Sequence, residues 1–237
     1  MEPFSYQIKR TPRASKARIV VTLEKIEVIA PLHISEDRLH QFVKEQWHWI
    51  TDAVQKLQSR AAQHRSIAPK AYHDGASIPY QGKTFPLSVT KTHLKRIKIE
   101  HALTFTAHIP HSQWDTIGSD EIRAAIIRWM KINVKLTVEQ LVCQHGPKHQ
   151  LFPKSIAIKS QKSRWGSCGI HNDIAINWLL ALAPLEILEY VVVHELCHIK
   201  EKNHSKQFWA LVAQHLPHYR SVRLWLKQHG RSLMLGI

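Results

Sequence analysis

The sequence predicts an α+β protein in two parts: an antiparallel, strand-rich N-terminal region with one amphipathic helix over 1–112, and a small helix-and-sheet domain over 113–237. Three observations lead there. Short runs rich in Ile and Val, separated by turn residues, fill much of the first half. Two long stretches carry apolar residues at helical spacing. The second half holds His194-Glu195-Leu196-Cys197-His198, with His204 six residues further on.

Taken in order, 6–10, 17–23 and 25–30 read as strands, the last bounded by Pro31. The stretch 35–60 switches to helical spacing. Ser35 is its candidate N-cap, and Leu39, Phe42, Val43, Trp47, Ile50, Val54 and Leu57 form its apolar stripe. Trp47 and Trp49 are read as core rather than as a base-stacking pair, because aromatic rings supply much of a small domain's burial. Residues 61–77, with Pro69 and Gly75, read as a connection. Strand signals resume at 77–80, 84–90, 96–99 and 103–109, with Gln81-Gly82-Lys83 as a hairpin turn, and one antiparallel sheet is expected from both strand groups. A long helix follows over 120–143, and Gly146-Pro147 is expected to end that segment. Two strands at 155–160 and 175–180 flank Arg164-Trp165-Gly166-Ser167-Cys168.

His194 and His198 stand at i and i+4, so a helix presents both imidazoles on one face with Glu195 beside them. Such a pair suits a zinc ion, and His204 would complete three ligands, leaving a fourth position open as catalytic zinc sites require. This chain's own His and Glu frequencies give roughly 0.07 accidental matches to the motif, and about tenfold fewer once His204 is demanded. The context also fits. Pro184 suits a first helical position, Glu186 and Glu189 place negative charge in the early turns, and Leu185, Leu188, Val191, Val192, Leu196 and Ile199 form a broad apolar surface. Six residues amount to about 600° of helical rotation, so His204 reaches the ion only if the chain turns after Ile199. Asn203 is a candidate left-handed cap for that turn, and a second helix is expected to start near Ser205 and stop at Pro217.

With these residues in view, the chain resembles the YgjP-like metal-dependent hydrolases, which are related to the SprT-like zinc proteases and more distantly to other zincins. The matching residues are Ser163 to Cys168, Ile176-Asn177, the run from Tyr190 to His198, and Asn203-His204-Ser205 with Phe208-Trp209. The resemblance implies a zincin-like C-terminal domain with one Zn2+ per chain, His194, His198 and His204 as ligands, and Glu195 as the catalytic residue. The third-ligand spacing also matches the metzincin zinc helix, but Glu201 stands where that group has its turn glycine, so metzincin membership is not assigned.

From the site's chemistry, Glu195 is the general base that takes a proton from a metal-activated water and passes it to a leaving amine. The resemblance to zincin-like folds implies a strand beside the active-site helix that runs along the cleft, where it can pair with an extended substrate. Arg164, Gly166, Ser167 and Asn177 are therefore candidate substrate-binding residues: Gly166 for close backbone approach, Arg164 for a carbonyl, carboxylate or phosphate. The alternative for Arg164 and Trp165 is that they pack and cap the hairpin. A second donor to the developing oxyanion is wanted, and Arg164, Asn177, Tyr190, Tyr219 or another His is available for it.

The leading expectation is a metallopeptidase acting on a peptide or protein. The alternatives are a nucleoside-triphosphate (UTP-type) pyrophosphatase at the same metal site, an activity also attached to the family the chain resembles, and a nucleic-acid-associated SprT-like protease. A net charge of +15 makes nucleic acid a possible partner, although the run Lys9, Arg10, Arg13, Lys16 and Arg18 reads most simply as a solvated basic face. No G-x-x-x-x-G-K loop appears. No apolar run is long enough for a membrane span, Met1 to Ser5 lacks the apolar stretch of a signal peptide, and the widely spaced Cys143, Cys168 and Cys197 do not suit a disulfide scaffold. A cytoplasmic location is expected. Cys197 reads as a small buried core residue, and Cys168 as either packed or exposed to substrate.

Overall fold

In the computed structural model, residues 5–22, 25–63 and 67–237 are described. Leu23, the end of one predicted strand, and residues 64–66 of the predicted connection lie outside them. The chain divides into two compact units, Met1–Arg65 and Ser66–Ile237.

The first unit holds β1 (Tyr6–Arg10), β2 (Arg18–Val21) and β3 (Ile26–Ala30), then α1 (Glu36–Glu45) and α2 (Trp47–Gln63). Its sheet order is β1-β3-β2, with β3 parallel to β1 and antiparallel to β2. The sheet is thus mixed rather than antiparallel. The centre goes to β3, whose Ile26, Val28 and Ala30 are buried against Leu39, Val43 and Ile50. The single helix expected over 35–60 is broken at Gln46, but Ile50 N–H bonds back to Gln46 O at 3.0 Å, so the chain restarts at once. Trp47 packs on this core, whereas Trp49 is 52% exposed. Two residues on a helix are about 200° apart, so the two rings cannot share one buried face, and the core reading holds for Trp47 alone. Of the basic run, Arg10 turns its guanidinium to the carbonyls of Leu32 and Ile34 (3.3 and 2.6 Å), while Lys9, Arg13, Lys16 and Arg18 line an open hollow.

The second unit begins with β4 (Ser77–Tyr80), β5 (Lys83–Thr92), β6 (Lys98–His101) and β7 (Phe105–Pro110), in the order β4-β5-β7-β6. This sheet is separate from the first and has a parallel β5–β7 pair, so the single antiparallel sheet is not what forms. It is followed by α3 (Ser119–His149), which runs through Gly146 and Pro147 and ends at Gln150 in a left-handed conformation, φ 57°. A proline this near a C-terminus removes one N–H from the ladder, and here the helix tolerates it. Tyr80 and Phe105 meet Trp129 of α3 edge-on, each at 5.2 Å between ring centroids. The sheet therefore shares a core with the rest of the unit, and the predicted boundary at 112 falls inside it.

Next come β8 (Ser155–Lys159), β9 (Gly166–Cys168) and β10 (Asp173–Asn177), ordered β8-β10-β9 with β10 parallel to β8 and antiparallel to β9. The strand predicted through residue 180 stops at Asn177, after which Trp178–Leu182 forms a buried 3-10 turn. Gln81 and Gly82, both at positive φ, make the β4–β5 turn, and their amides donate to Ala181 O and Leu182 O at 2.7 and 3.0 Å. A Cβ on Gly82 would lie 2.7 Å from Pro184 Cγ. This turn braces the start of α4 (Leu185–Lys200), for which Pro184 is the N-cap. Two further helices, α5 (Lys206–His215) and α6 (Tyr219–Met234), complete the unit. Among the described residues, no helix is long and apolar enough to cross a membrane.

Away from the motif, α3, α4 and α5 bring together His145, His149, Lys148, Glu189 and His215. His145 Nε2 lies 2.8 Å from Glu189 Oε1, and both ring nitrogens of His215 are buried without a hydrogen-bond partner. Burial, with His149, His145 and Lys148 adding to it, pulls the His215 pKa down from 6.5 to about 4. Above pH 6.5 folded and unfolded chains both hold it neutral; as pH falls from 6.5 to 4 the unfolded chain is protonated first, so stability is lost across that window. In His215→Leu, the pH dependence of the unfolding free energy there should be shallower by about one proton. An unchanged slope in urea titrations across that range would refute this.

Candidate active site

The motif lies where α4 is most firmly held. Ile187, Leu188, Val191, Val192 and Leu196 are buried, as is Cys197, whose thiol burial pushes up to about 12, in keeping with an inert core residue. Opposite this apolar surface, His194, His198 and His204 offer nitrogens that all lie within 4.8 Å of one another. The turn that delivers His204 needs no left-handed residue: Glu201 caps α4 in an extended conformation (φ −115°, ψ 97°), and Asn203 is not at positive φ, contrary to the expected cap. An extended residue at 201 requires no glycine. The helix expected to start near Ser205 begins at Lys206, and Ser205 caps it, accepting from Phe208 N–H at 3.2 Å.

The three imidazoles suit a cation on chemical grounds. His198 Nδ1 donates to Glu201 O at 2.9 Å, which leaves its Nε2 a bare acceptor. His204 Nε2 then sits 3.2 Å from His198 Nε2 and 3.0 Å from His194 Nε2. One ring nitrogen has at most one proton, so it cannot serve both contacts, whereas a cation satisfies all three. Two nitrogens about 2.05 Å from a tetrahedral ion would be about 3.3 Å apart, near the separations observed. Burial, then His198, His204 and Arg223, draws the His194 pKa down to about 3, and burial lowers that of His198, so both rings are held neutral as ligands must be.

Phe208 is fully buried and forms the wall behind these rings, stacked on His198 at 4.5 Å and edge-on to His194 and His204 at 4.9 and 4.8 Å. Trp209 stacks on His204 at 5.6 Å. In the sequence both aromatics stood out as part of the resemblance, with no role at the histidines. Removing one ligand is the direct check on the triad: His204→Ala should weaken zinc binding by more than about 100-fold, the upper end for losing a mere outer partner. Unchanged metal stoichiometry and affinity would exclude His204 as a ligand.

Glu195 is 5% exposed, and burial, only partly offset by Arg164, raises its pKa to about 7. A cation on the neighbouring histidines would pull that value back down. What faces Gly166 is this carboxyl group: a Cβ at 166 would lie 2.6 Å from Glu195 Oε1. The missing side chain makes room for the acid itself, not only for a substrate backbone. Cys168 follows on the same face of β9, half-buried, its thiol pushed up by burial, and Ser167 alternates to the other face. Arg164 is exposed near the acid.

Asn177 does not face the site. It is wholly buried; its Nδ2 donates to Gln161 O and Arg164 O (2.8 and 3.0 Å) and its Oδ1 accepts from Leu179 N–H (3.2 Å). Its amide is committed to holding the loop before β9, so substrate or oxyanion binding is not open to it. Burial pushes the Tyr190 hydroxyl up to about 12, so it remains a donor at neutral pH. Two groups had no sequence signal at all. Arg223 on α6 acts electrostatically on His194 and Tyr190, and Lys202 Nζ donates to Asn172 Oδ1 at 2.7 Å, tying the β9–β10 turn to the loop carrying His204.

A family model described as YgjP-like, metallopeptidase domain, matches residues 15–229. The chain belongs to this family. The matched span of this YgjP-like chain includes Glu195 and all three histidines of the cluster. The chain is 40% identical over 60 residues to the UTP pyrophosphatase of Escherichia coli strain K12, a match spanning 24% of this chain and 36% of that protein's length. The crystal structure of the metallopeptidase zymogen of Methanocaldococcus jannaschii jannalysin is similar over 40% of this chain and 94% of that one, at 22% identity and a TM-score of 0.34, too low to carry fold or mechanism across.

Proposed function

We propose that this YgjP-like protein is a zinc-dependent peptidase in which His194, His198 and His204 hold the ion and Glu195 is the general base. The observation that carries the reading is the convergence of three imidazole nitrogens within 4.8 Å of one another beside a buried carboxyl group. Zinc bound there supplies a Lewis acid that polarises a carbonyl and brings the pKa of water toward about 7. Glu195 accepts the water's proton and returns it to the leaving amine nitrogen. The His198–Glu201 hydrogen bond keeps Nε2 free of a proton, and Phe208 prevents the rings from rotating away. Tyr190, its ring 5.9 Å from that of His194, is a donor beside the triad for developing negative charge.

The short similarity to a UTP pyrophosphatase supports a second reading, in which the same groups hydrolyse a nucleotide. Zinc-loaded protein incubated with an unstructured protein and with a nucleotide panel separates the two, provided the Glu195→Gln variant runs beside it. Peptide cleavage lost in the variant supports the peptidase; pyrophosphate release lost in the variant, with no peptide cleavage, supports the other.

A further inference from the structure

Next to His204 lies a groove that the proposed reaction leaves unused. Trp209, already stacked on His204, has Tyr219 stacked against it at 5.4 Å and 15°, and Arg223 Cζ 4.6 Å from its ring centroid. Arg220 Nε donates to the Tyr219 hydroxyl at 3.5 Å. Around these rings is an open hollow of about 540 Å³ whose lining includes Lys206, Arg220 and Arg223 and no Asp or Glu. All three cations are exposed, and none has an ion-pair partner among the described residues. The pattern extends along the chain: from Lys202 to the last residue there are six Lys and Arg and not one acid.

Cations set on aromatic faces, beside a reaction centre and without internal carboxylates, form a receptor for an anion. The groove is open and lined mostly by side chains of α5 and α6, a form that suits an extended chain. We propose that this groove is an anion subsite of the active centre, where Lys206, Arg220 and Arg223 receive the carboxylate of a Glu or Asp close to the scissile bond of a peptide substrate. The proposal rests on the peptidase reading above and adds the substrate class, acidic peptides. A nucleotide phosphate offers related chemistry and forms the competing arm of the test.

Binding is measured on the zinc-loaded Glu195→Gln chain, where turnover does not interfere, by anisotropy of a rhodamine-labelled Ala/Ser peptide carrying a Glu pair, its Gln isostere, and UTP as competitor. The Glu peptide should bind about 5- to 10-fold more tightly at low salt, with the gap closing as salt rises. Adding Lys206→Gln and Arg220→Gln should reduce that ratio to about 1. Equal binding of the two peptides, or a ratio insensitive to the added substitutions, overturns the subsite. Displacement by UTP at concentrations far below those of the Glu peptide overturns its assignment to peptides. Cleavage by the wild-type chain is scored separately: a Glu preference without any cleavage sinks the peptidase reading and leaves the anion site standing, and cleavage without preference does the reverse.

Discussion

Glu195→Gln should retain zinc at wild-type stoichiometry and lose about 10²- to 10⁴-fold in hydrolysis of the true substrate, the range that a positioned general base supplies. Glutamine keeps the shape of the side chain against Gly166 and the packing of α4, so the comparison isolates the proton acceptor. The buried setting that raises the Glu195 pKa to about 7 stabilises its neutral form, and a neutral amide fills that environment at little cost. Metal content by mass spectrometry and turnover on the protein and nucleotide panel give the two readouts. Full activity in the variant would remove the base assignment, whichever substrate is real.

Gly166→Ala should be nearly as damaging to turnover, although it touches neither the histidines nor the acid chemically. An added Cβ would lie 2.6, 2.7 and 2.9 Å from Glu195 Oε1, Cγ and Cδ. The strand is held from retreating, because Gly166 is paired with Ile176 in the β9–β10 register and Ser167 and Cys168 after it are paired with Ala175 and Ile174. The helix cannot retreat either, since its other face is buried in the core. The carboxyl group must therefore move, and misplacement by about 1 Å is enough for a loss near 100-fold. The expected signature is a lower kcat with zinc binding intact. Activity within a few-fold of wild type would mean that Glu195 works from another position than the one seen.

Both predictions concern one contact, yet its two sides were unequally legible. His194, Glu195, His198 and His204 could be read directly, because helical spacing is local and six residues force a turn. The start of α5 near Ser205 and the apolar run of α4 followed from the same local rules. Gly166 was visible as a glycine beside the site, but its neighbour was not: β9 reaches Glu195 only through its pairing with β10, a contact across sequence that no periodicity encodes. Asn177 failed for the complementary reason. A polar residue at the end of a strand near a motif looks like a ligand-binding group until its hydrogen bonds can be counted, and all of them prove internal.

The amino-acid sequence by itself determined that the protein is α+β, that it carries a three-histidine and glutamate constellation on a helix–turn–helix, and that its surface is strongly basic, since composition and 3.6-residue spacing are properties of the chain alone. Tertiary structure decided the rest. It placed the unit boundary near 65 rather than 112, because the aromatic contacts of Tyr80 and Phe105 with Trp129 bind the second sheet to α3. It made the sheets mixed, because strand pairing depends on which apolar strand takes the centre. It also brought Phe208, Trp209 and Arg223 around the histidines, because helices α5 and α6 meet α4 only after the chain has folded back on itself.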